Sequence, residues 1–396
     1  MLLHTLIAIL LGILAGNFTG LIPGIHINLI SAVAISYYAM TANIPPLLVA
    51  IFIISMSTTH TFVDCIPSIY LGAPDQSHIL TALPGHAMLM KGDGHNAVKL
   101  TIIGSMFTLI MSILLFGLFM KSMSIMNNFL KDNIGIILAI LAAIILLIQK
   151  DKINSALIFI ISATLGIMVL SQDNLSNPLF HMLSGFFGVS LLLMSTKNKA
   201  RIPMQNKKRL IIGTKTIKKS VLTASIAGFF AAFTPGFGTS QIMVIVQRIF
   251  NNSTKSFLIL AGGMNTAGMI ISLCSFFIID KARNGSIVAI KSIIENISYI
   301  ELGLLLIVAI IAGGIASIST IYMSRFFSSL VNKINYKNVV LCVIAFIVLM
   351  SLIFDGALGI LILITSASIG ILAECFGVGK NNLMGCLIVP VIMYLI

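Results

Sequence analysis

Residues 10–28 read LLGILAGNFTGLIPGIHIN, and residues 222–240 read LTASIAGFFAAFTPGFGTS. Gly16 matches Gly228, Pro23 matches Pro235 and Gly24 matches Gly236, each at an offset of 212 residues. Each stretch lies in the first long apolar segment of its half of the chain. A Pro-Gly pair removes a backbone donor and admits unusual dihedrals, so a membrane helix must break there. Paired hydrophobic segments interrupted by Gly and Pro at corresponding positions are the pattern of a transporter built from repeats.

The composition agrees with a membrane setting. Of 396 residues, 58% are hydrophobic and 9% are charged, and there is no Trp. Mean hydropathy is +1.10. A soluble fold of this length could not cover its surface with so few charges. This excludes a cytosolic enzyme, a secreted domain and a disordered chain. The predicted class is an all-α polytopic membrane protein with 10–12 transmembrane segments in two repeats, each with a Pro-Gly-broken helix.

Working outward, the first span runs over about 2–21 and a second apolar piece covers 25–40. Pro45-Pro46 opens another that continues to about 71, and 72–96 reads as a Gly/Pro/His-rich loop. Clear spans follow at about 97–120, 134–149, 154–170 and 179–195. After 221–247 and 256–279 comes a polar loop at about 280–298. The last spans are about 300–322, 339–354, 356–373 and 382–396. The N-terminal stretch has no basic region, so it is expected to remain as the first membrane helix.

Net charge is +13, and its distribution matters more than its size. Residues 1–90 contain no Lys or Arg, whereas nine basic residues and no acidic one fall between Lys197 and Lys219. Between apolar spans such a run reads as a cytoplasmic loop, with contact to anionic membrane lipid as an extra role and no nucleic-acid site. The expected organisation is therefore residues 1–195 as a first membrane repeat, 196–219 as a basic cytoplasmic loop and 220–396 as a second repeat. An inverted arrangement of the repeats is favoured. The five cysteines form no CxxC pair and suggest neither a disulfide framework nor a thiolate metal site.

The breaks also define a candidate site. A restarting half-helix presents free N–H groups and the positive end of its dipole, and so attracts anions. These ends belong to about 25–28 in the first half and 237–241 in the second. The expected substrate-binding residues are Pro23, Gly24, His26 and Asn28, with Pro235, Gly236, Gly238, Thr239 and Ser240. Asn265, in the span LAGGMNTAGM (260–269), is expected to complete the site, although small residues there also suit close helix packing.

A second patch, SMSTTHTFVDCIPS (55–68), carries ionisable groups in an apolar span. His60 and Asp64 are four apart and share a helix face. Ionisable residues at membrane depth are costly and tend to be functional. His60, Asp64 and Thr58 are the expected ion-coupling residues for H⁺ or Na⁺; a structural pairing of His60 with Asp64 is the competing reading. Asp280 is expected to pair with Lys281 or Arg283, while Asp355 and Glu374 read as helix-boundary residues. No metal or cofactor site is expected, and no nucleotide-binding motif occurs.

GNFTGLIPGIHINL, HTFVDCIPSIYLGAPDQSHILTALPGHAMLMKGDGHNAV and TPGFGTS, taken in order, resemble the TctA family, with most likeness to its archaeal branch. That family provides the large permease subunit of tripartite tricarboxylate transporters. The resemblance implies a multi-pass cell-membrane permease for tricarboxylates or similar organic anions. In bacteria it also implies a small membrane subunit and an extracytoplasmic binding protein as partners. A homodimer is a further expectation, since such assemblies are common among permeases with inverted repeats. Two other readings stay open: a carrier or flippase for a phosphorylated lipid, and an intramembrane enzyme using His60 and Asp64.

Overall fold

The computed structural model describes every residue except 1, 23–29, 32–33, 36–37, 39–43, 71–78, 148, 150, 198–202, 206–209, 234–238, 251–252, 283, 331–335 and 396. None of the described residues is in a strand. The chain is all-α: α1 (Leu2–Leu21), α2 (Pro46–Val63), α3 (Cys65–Tyr70), α4 (Ile79–Leu89), α5 (Gly94–Leu114), α6 (Phe116–Leu147) and α7 (Lys152–Leu170). Then come α8 (Pro178–Leu183), a π-helical turn (Ser184–Val189) and α9 (Ser190–Lys197) as one rod. The second half holds α10 (Thr214–Phe233), α11 (Thr239–Phe250), α12 (Thr254–Ile279), α13 (Gly285–Ile293), α14 (Tyr299–Leu330), α15 (Tyr336–Cys375) and α16 (Gly385–Leu395).

Among the described residues, seven helices are long and apolar enough to cross a membrane. Four shorter apolar helical stretches accompany them, two of them within α6. Burial sorts the long ones: the α2–α3 span is 78% buried and α12 is 89% buried, against 28% for α1. The first two therefore form the centre, and α1 turns Leu3, Leu6, Leu10, Leu14 and Phe18 outward. An outward apolar face suits lipid, which costs nothing to contact.

Local chemistry sets the helix ends. Pro46 starts α2, where a missing N–H is harmless. Ser253 caps α12 by accepting from Ser256 N, and Asp151 caps α7 by accepting from Asn154 N. Asp280 ends α12 in a left-handed conformation at φ 52°. That reversal brings Lys291 of α13 to its carboxylate at 2.7 Å, a partner not expected from sequence; Arg283 lies outside the described residues.

Three expectations about connections are corrected. The 72–96 loop contains α4, because Ile79–Leu89 carries enough apolar surface to pack on α3 and α12 around Gly85. The 280–298 loop contains α13, which buries Ile287 and Ile290. The gap expected between spans at 120 and 134 is helical within α6: no Pro or Gly interrupts 118–134, so polar side chains leave the backbone ladder intact.

Helix α15 doubles back. Asp355 (φ −137°, ψ 20°) and Gly356 (φ 59°, ψ −140°) are non-helical. A Cβ built on Gly359 would lie 2.7 Å from Ser351 O, whereas eight residues of straight helix span about 12 Å. The two arms are therefore antiparallel, matching the separate spans read at 339–354 and 356–373.

The helices of the two halves interleave. Gly12, Gly16 and Gly20 of α1 meet Ser55, Thr59 and Val63 of α2 in order, so these helices run parallel. A Cβ on Gly16 would stand 2.5 Å from Met56 O, which reserves that position for glycine. Ala224 and Gly228 of α10 meet Gly263 and Ala267 of α12 in the same parallel sense. The 212-residue offset carries Leu2–Leu21 onto Thr214–Phe233, and it carries α5 into α14. Leu109 meets Gly313, and His95 meets Ser324, so α5 and α14 run antiparallel.

One hydrophobic cluster joins α1–α6 with α12–α14, and another joins α6–α8 with α15–α16; α10 and α12 contribute to both. Packing thus crosses the chain midpoint in both bodies. Gly104 of α5 shows how closely: a Cβ there would collide with Ile259 O of α12.

Candidate functional site

The polar centre lies where α2 ends. Pro67 has no N–H to donate to Val63 O, and the helix is interrupted at Asp64 before α3 resumes. Ser57, Thr61, Asp64 and Ser68 fall on one face, since seven residues turn the helix by nearly two full turns. That face meets α12. Asn265 Nδ2 donates to Asp64 Oδ2 at 2.8 Å, and Thr61 Oγ1 lies 3.2 Å from Thr266 Oγ1. The glycines of LAGGMNTAGM give the close packing on α5 that small residues suit, and Asn265 reaches the Asp64 carboxylate.

His60 faces α1. Its Nδ1 is 3.0 Å from Thr19 Oγ1, and the Thr19 hydroxyl donates to Gly16 O at 3.2 Å. With that hydrogen committed, Thr19 Oγ1 accepts from His60 Nδ1–H, and neutral imidazole keeps its lone pair on Nε2. Nε2 is 4.0 Å from Asp64 Oδ2. Thr19, His60 and Asp64 are at most 5% exposed. The chain Gly16–Thr19–His60–Asp64–Asn265 therefore crosses from one half of the sequence to the other.

Thr58 sits differently. Six residues place it about 120° around the helix from Asp64. Its carbonyl accepts from Thr61, and its buried hydroxyl has no hydrogen-bond partner among the described residues. Ser57, Thr61 and Ser68 are the hydroxyl residues that share the Asp64 face; Ser57 is readable from sequence beside Thr58 and Thr59 as a Na⁺ partner of Asp64, whereas Thr61 was missed, although an i, i+4, i+7 count from Ser57 marks it.

Thr239 opens α11 and approaches Gly268 of α12, with its Cγ2 3.9 Å from a Cβ built there. Gly268 lies one turn from Asn265. Ser240 also falls in α11, but its side chain is outside the described residues. Pro23, Gly24, His26, Asn28, Pro235, Gly236 and Gly238 all lie outside the described residues. The flanks of both breaks are described: Thr19 bonds to His60, and Thr239 adjoins the turn of α12 that carries Asn265. Among the described residues, no group of three His, Cys, Asp or Glu could hold a metal.

A model of the tripartite tricarboxylate transporter TctA family matches residues 6–385. The chain belongs to the TctA family. An uncharacterised protein of Methanocaldococcus jannaschii is 31% identical over 402 residues, covering 98% of each chain. No solved structure matches. The TctA family is a transporter family, and this member is a multi-pass membrane protein. Its buried His60–Asp64–Asn265 centre joins two of the helices long and apolar enough to cross a membrane.

Proposed function

We propose that this TctA protein is a secondary permease for tricarboxylate-like organic anions, with a coupling cation carried at Asp64. The observation that carries the reading is the Asp64–Asn265 hydrogen bond beside His60 Nε2. A buried carboxylate next to an imidazole lone pair can take up a proton, and with it the net charge of the centre falls. H⁺ is the favoured coupling ion for that reason; Na⁺, coordinated by Asp64 and hydroxyls of its face, is the outcome the experiment distinguishes. The substrate would bind at the half-helix ends of the two Pro-Gly breaks, near Thr19 and Thr239.

The antiparallel course of α5 and α14 supports an inverted repeat, in which one body rocks against the other. With the 196–219 stretch cytoplasmic, α1 would start at the extracytoplasmic face. The family description supports assembly with a small membrane subunit and an extracytoplasmic binding protein.

The test is a ligand screen on protein in liposomes. Tricarboxylates, dicarboxylates and polyprenyl phosphate are compared by thermal stabilisation, with and without Na⁺ and across pH. Hits are then followed as labelled uptake. Stabilisation and uptake of a soluble carboxylate support the permease. Stabilisation by polyprenyl phosphate alone would replace it with a lipid carrier.

A further inference from the structure

The second body holds a buried cluster that the Asp64 centre does not use. His181, in α8, sits between two groups of the α15 hairpin. Its Nδ1 is 2.5 Å from Ser351 Oγ, and its Nε2 is 2.6 Å from Asp355 Oδ2. The His181 side chain is 0% exposed and that of Asp355 is 2% exposed. Asp355 also accepts from the backbone N–H of Ser176 at 2.6 Å and of Asn177 at 3.0 Å. One imidazole therefore ties the first arm of the hairpin, at Ser351, and the turn, at Asp355, to the start of α8. Phe180 packs edge-on against His181 and Phe354 beside it.

The chemistry of this arrangement is specific. With neutral His181, Nε2–H donates to the carboxylate and Nδ1 accepts from the Ser351 hydroxyl. With protonated His181, both nitrogens donate and Ser351 Oγ accepts. Only the hydroxyl hydrogen turns between the two states. Both hydrogen bonds survive, and the His–Asp pair changes from net −1 to neutral. A proton can thus enter at Nδ1 without displacing a heavy atom.

We propose that His181, Ser351 and Asp355 form a second proton-binding site, loaded independently of the Asp64 centre. Its ligand is the proton itself, taken from water at the exposed 171–177 connection that Ser176 and Asn177 terminate. The site lies at the end of the α8–α9 rod away from Lys197 and the basic stretch that follows. Its neighbours Met182 and Leu183 pack with α7, α15 and α16, and Phe180 packs with α9 and α15, whereas Val63 and Cys65, which flank Asp64, belong to the other body.

Asp355 is the charged group facing His181. The other charged groups on the packed elements are remote along their helices or outside them. Lys337 starts the first arm of α15, and Glu374 ends the second, each about 27 Å of helix from the turn. Lys380 bonds Ser190 Oγ at 3.0 Å and Glu374 at 3.4 Å, at that same far end. Asp151 and Lys152 stand at the far end of α7, and Asp173 is exposed in the connection.

The proposal does not rest on the transport reading, and its test separates the two. The full-length protein is prepared with ¹⁵N-labelled histidine, and the ring nitrogens are followed by NMR from pH 5 to 9. The His181 signal is assigned by its loss in His181→Gln and, should that variant fail to fold, by its displacement in Ser351→Ala. The expected result is a reversible titration of His181 in the wild type and unchanged in Asp64→Asn. In Asp355→Asn the midpoint moves at least one pH unit to acid, because imidazolium loses its carboxylate. A His181 ring fixed in one protonation state over the whole range overturns the proposal, as does a titration abolished by Asp64→Asn.

Discussion

Asn265 donates a 2.8 Å hydrogen bond to Asp64 across 201 residues of chain, joining the centre of one half to the centre of the other. A charged acceptor makes such a bond worth about 1.5–3 kcal/mol. The same carboxylate faces His60, so the bond also orients the group proposed to carry the coupling ion.

Asn265→Leu removes the donor and leaves a buried carboxylate short of a partner. Stability should fall by about 1–3 kcal/mol, visible as a lower melting temperature. Asp64→Asn in the same background should recover much of that loss, because the buried charge is gone. An additive double variant would mean that the two side chains do not interact.

Thr19→Val leaves α1 packed but removes the acceptor for His60 Nδ1–H. The expected cost is about 1–3 kcal/mol for the orphaned buried donor. Because the imidazole is then free to turn, the pH profile of uptake should shift, while Thr19→Ser should keep both bond and profile.

Gly104→Val asks for a side chain where Ile259 O already occupies the space beside the Cβ position. Helices α5 and α12 would have to separate, at a cost of about 1–3 kcal/mol or more. Lys291→Ala is the matching control. Its partner Asp280 is 72% exposed, and the melting temperature should stay within a degree or two of wild type.

His86 titrates below the ordinary imidazole range, because burial between α4 and α3 disfavours its charged form; its Nδ1 is also 3.0 Å from Ile69 O. The unfolded chain therefore binds the proton first. This contribution to stability is present above about pH 6.5 and is lost as pH falls towards the depressed folded value. His86→Gln should reduce the acid loss of stability between pH 6.5 and 5, read by thermal melts across that range.

Much of this architecture is written in local sequence signals. Apolar runs marked the spans, and Leu2–Leu21 and Thr214–Phe233, the helices on which the 212-residue match falls, share their bounds under that shift. The i, i+4 spacing marked His60 and Asp64 as neighbours. The Asp355-Gly356 dipeptide marked a boundary inside a continuous apolar run, which is a hairpin turn. Contacts made across the chain left no such mark. Nothing near Asn265 announces Asp64, and nothing near His181 announces Ser351 or Asp355, 170 and 174 residues away. A lone histidine in an apolar helix reads as core until its partners fold against it. Helices α4 and α13 were hidden for another reason. Their flanks are rich in Gly, Pro and charge, while their stability comes from apolar contacts to helices elsewhere in the chain.

The most direct test of the coupling assignment is uptake of labelled citrate into proteoliposomes under an imposed pH gradient, wild type against Asp64→Asn. The wild type should accumulate substrate only while the gradient lasts. Asp64→Asn should lose that accumulation yet still exchange internal for external substrate, because the anion site is intact. Gradient-driven accumulation by Asp64→Asn at the wild-type rate would contradict the account.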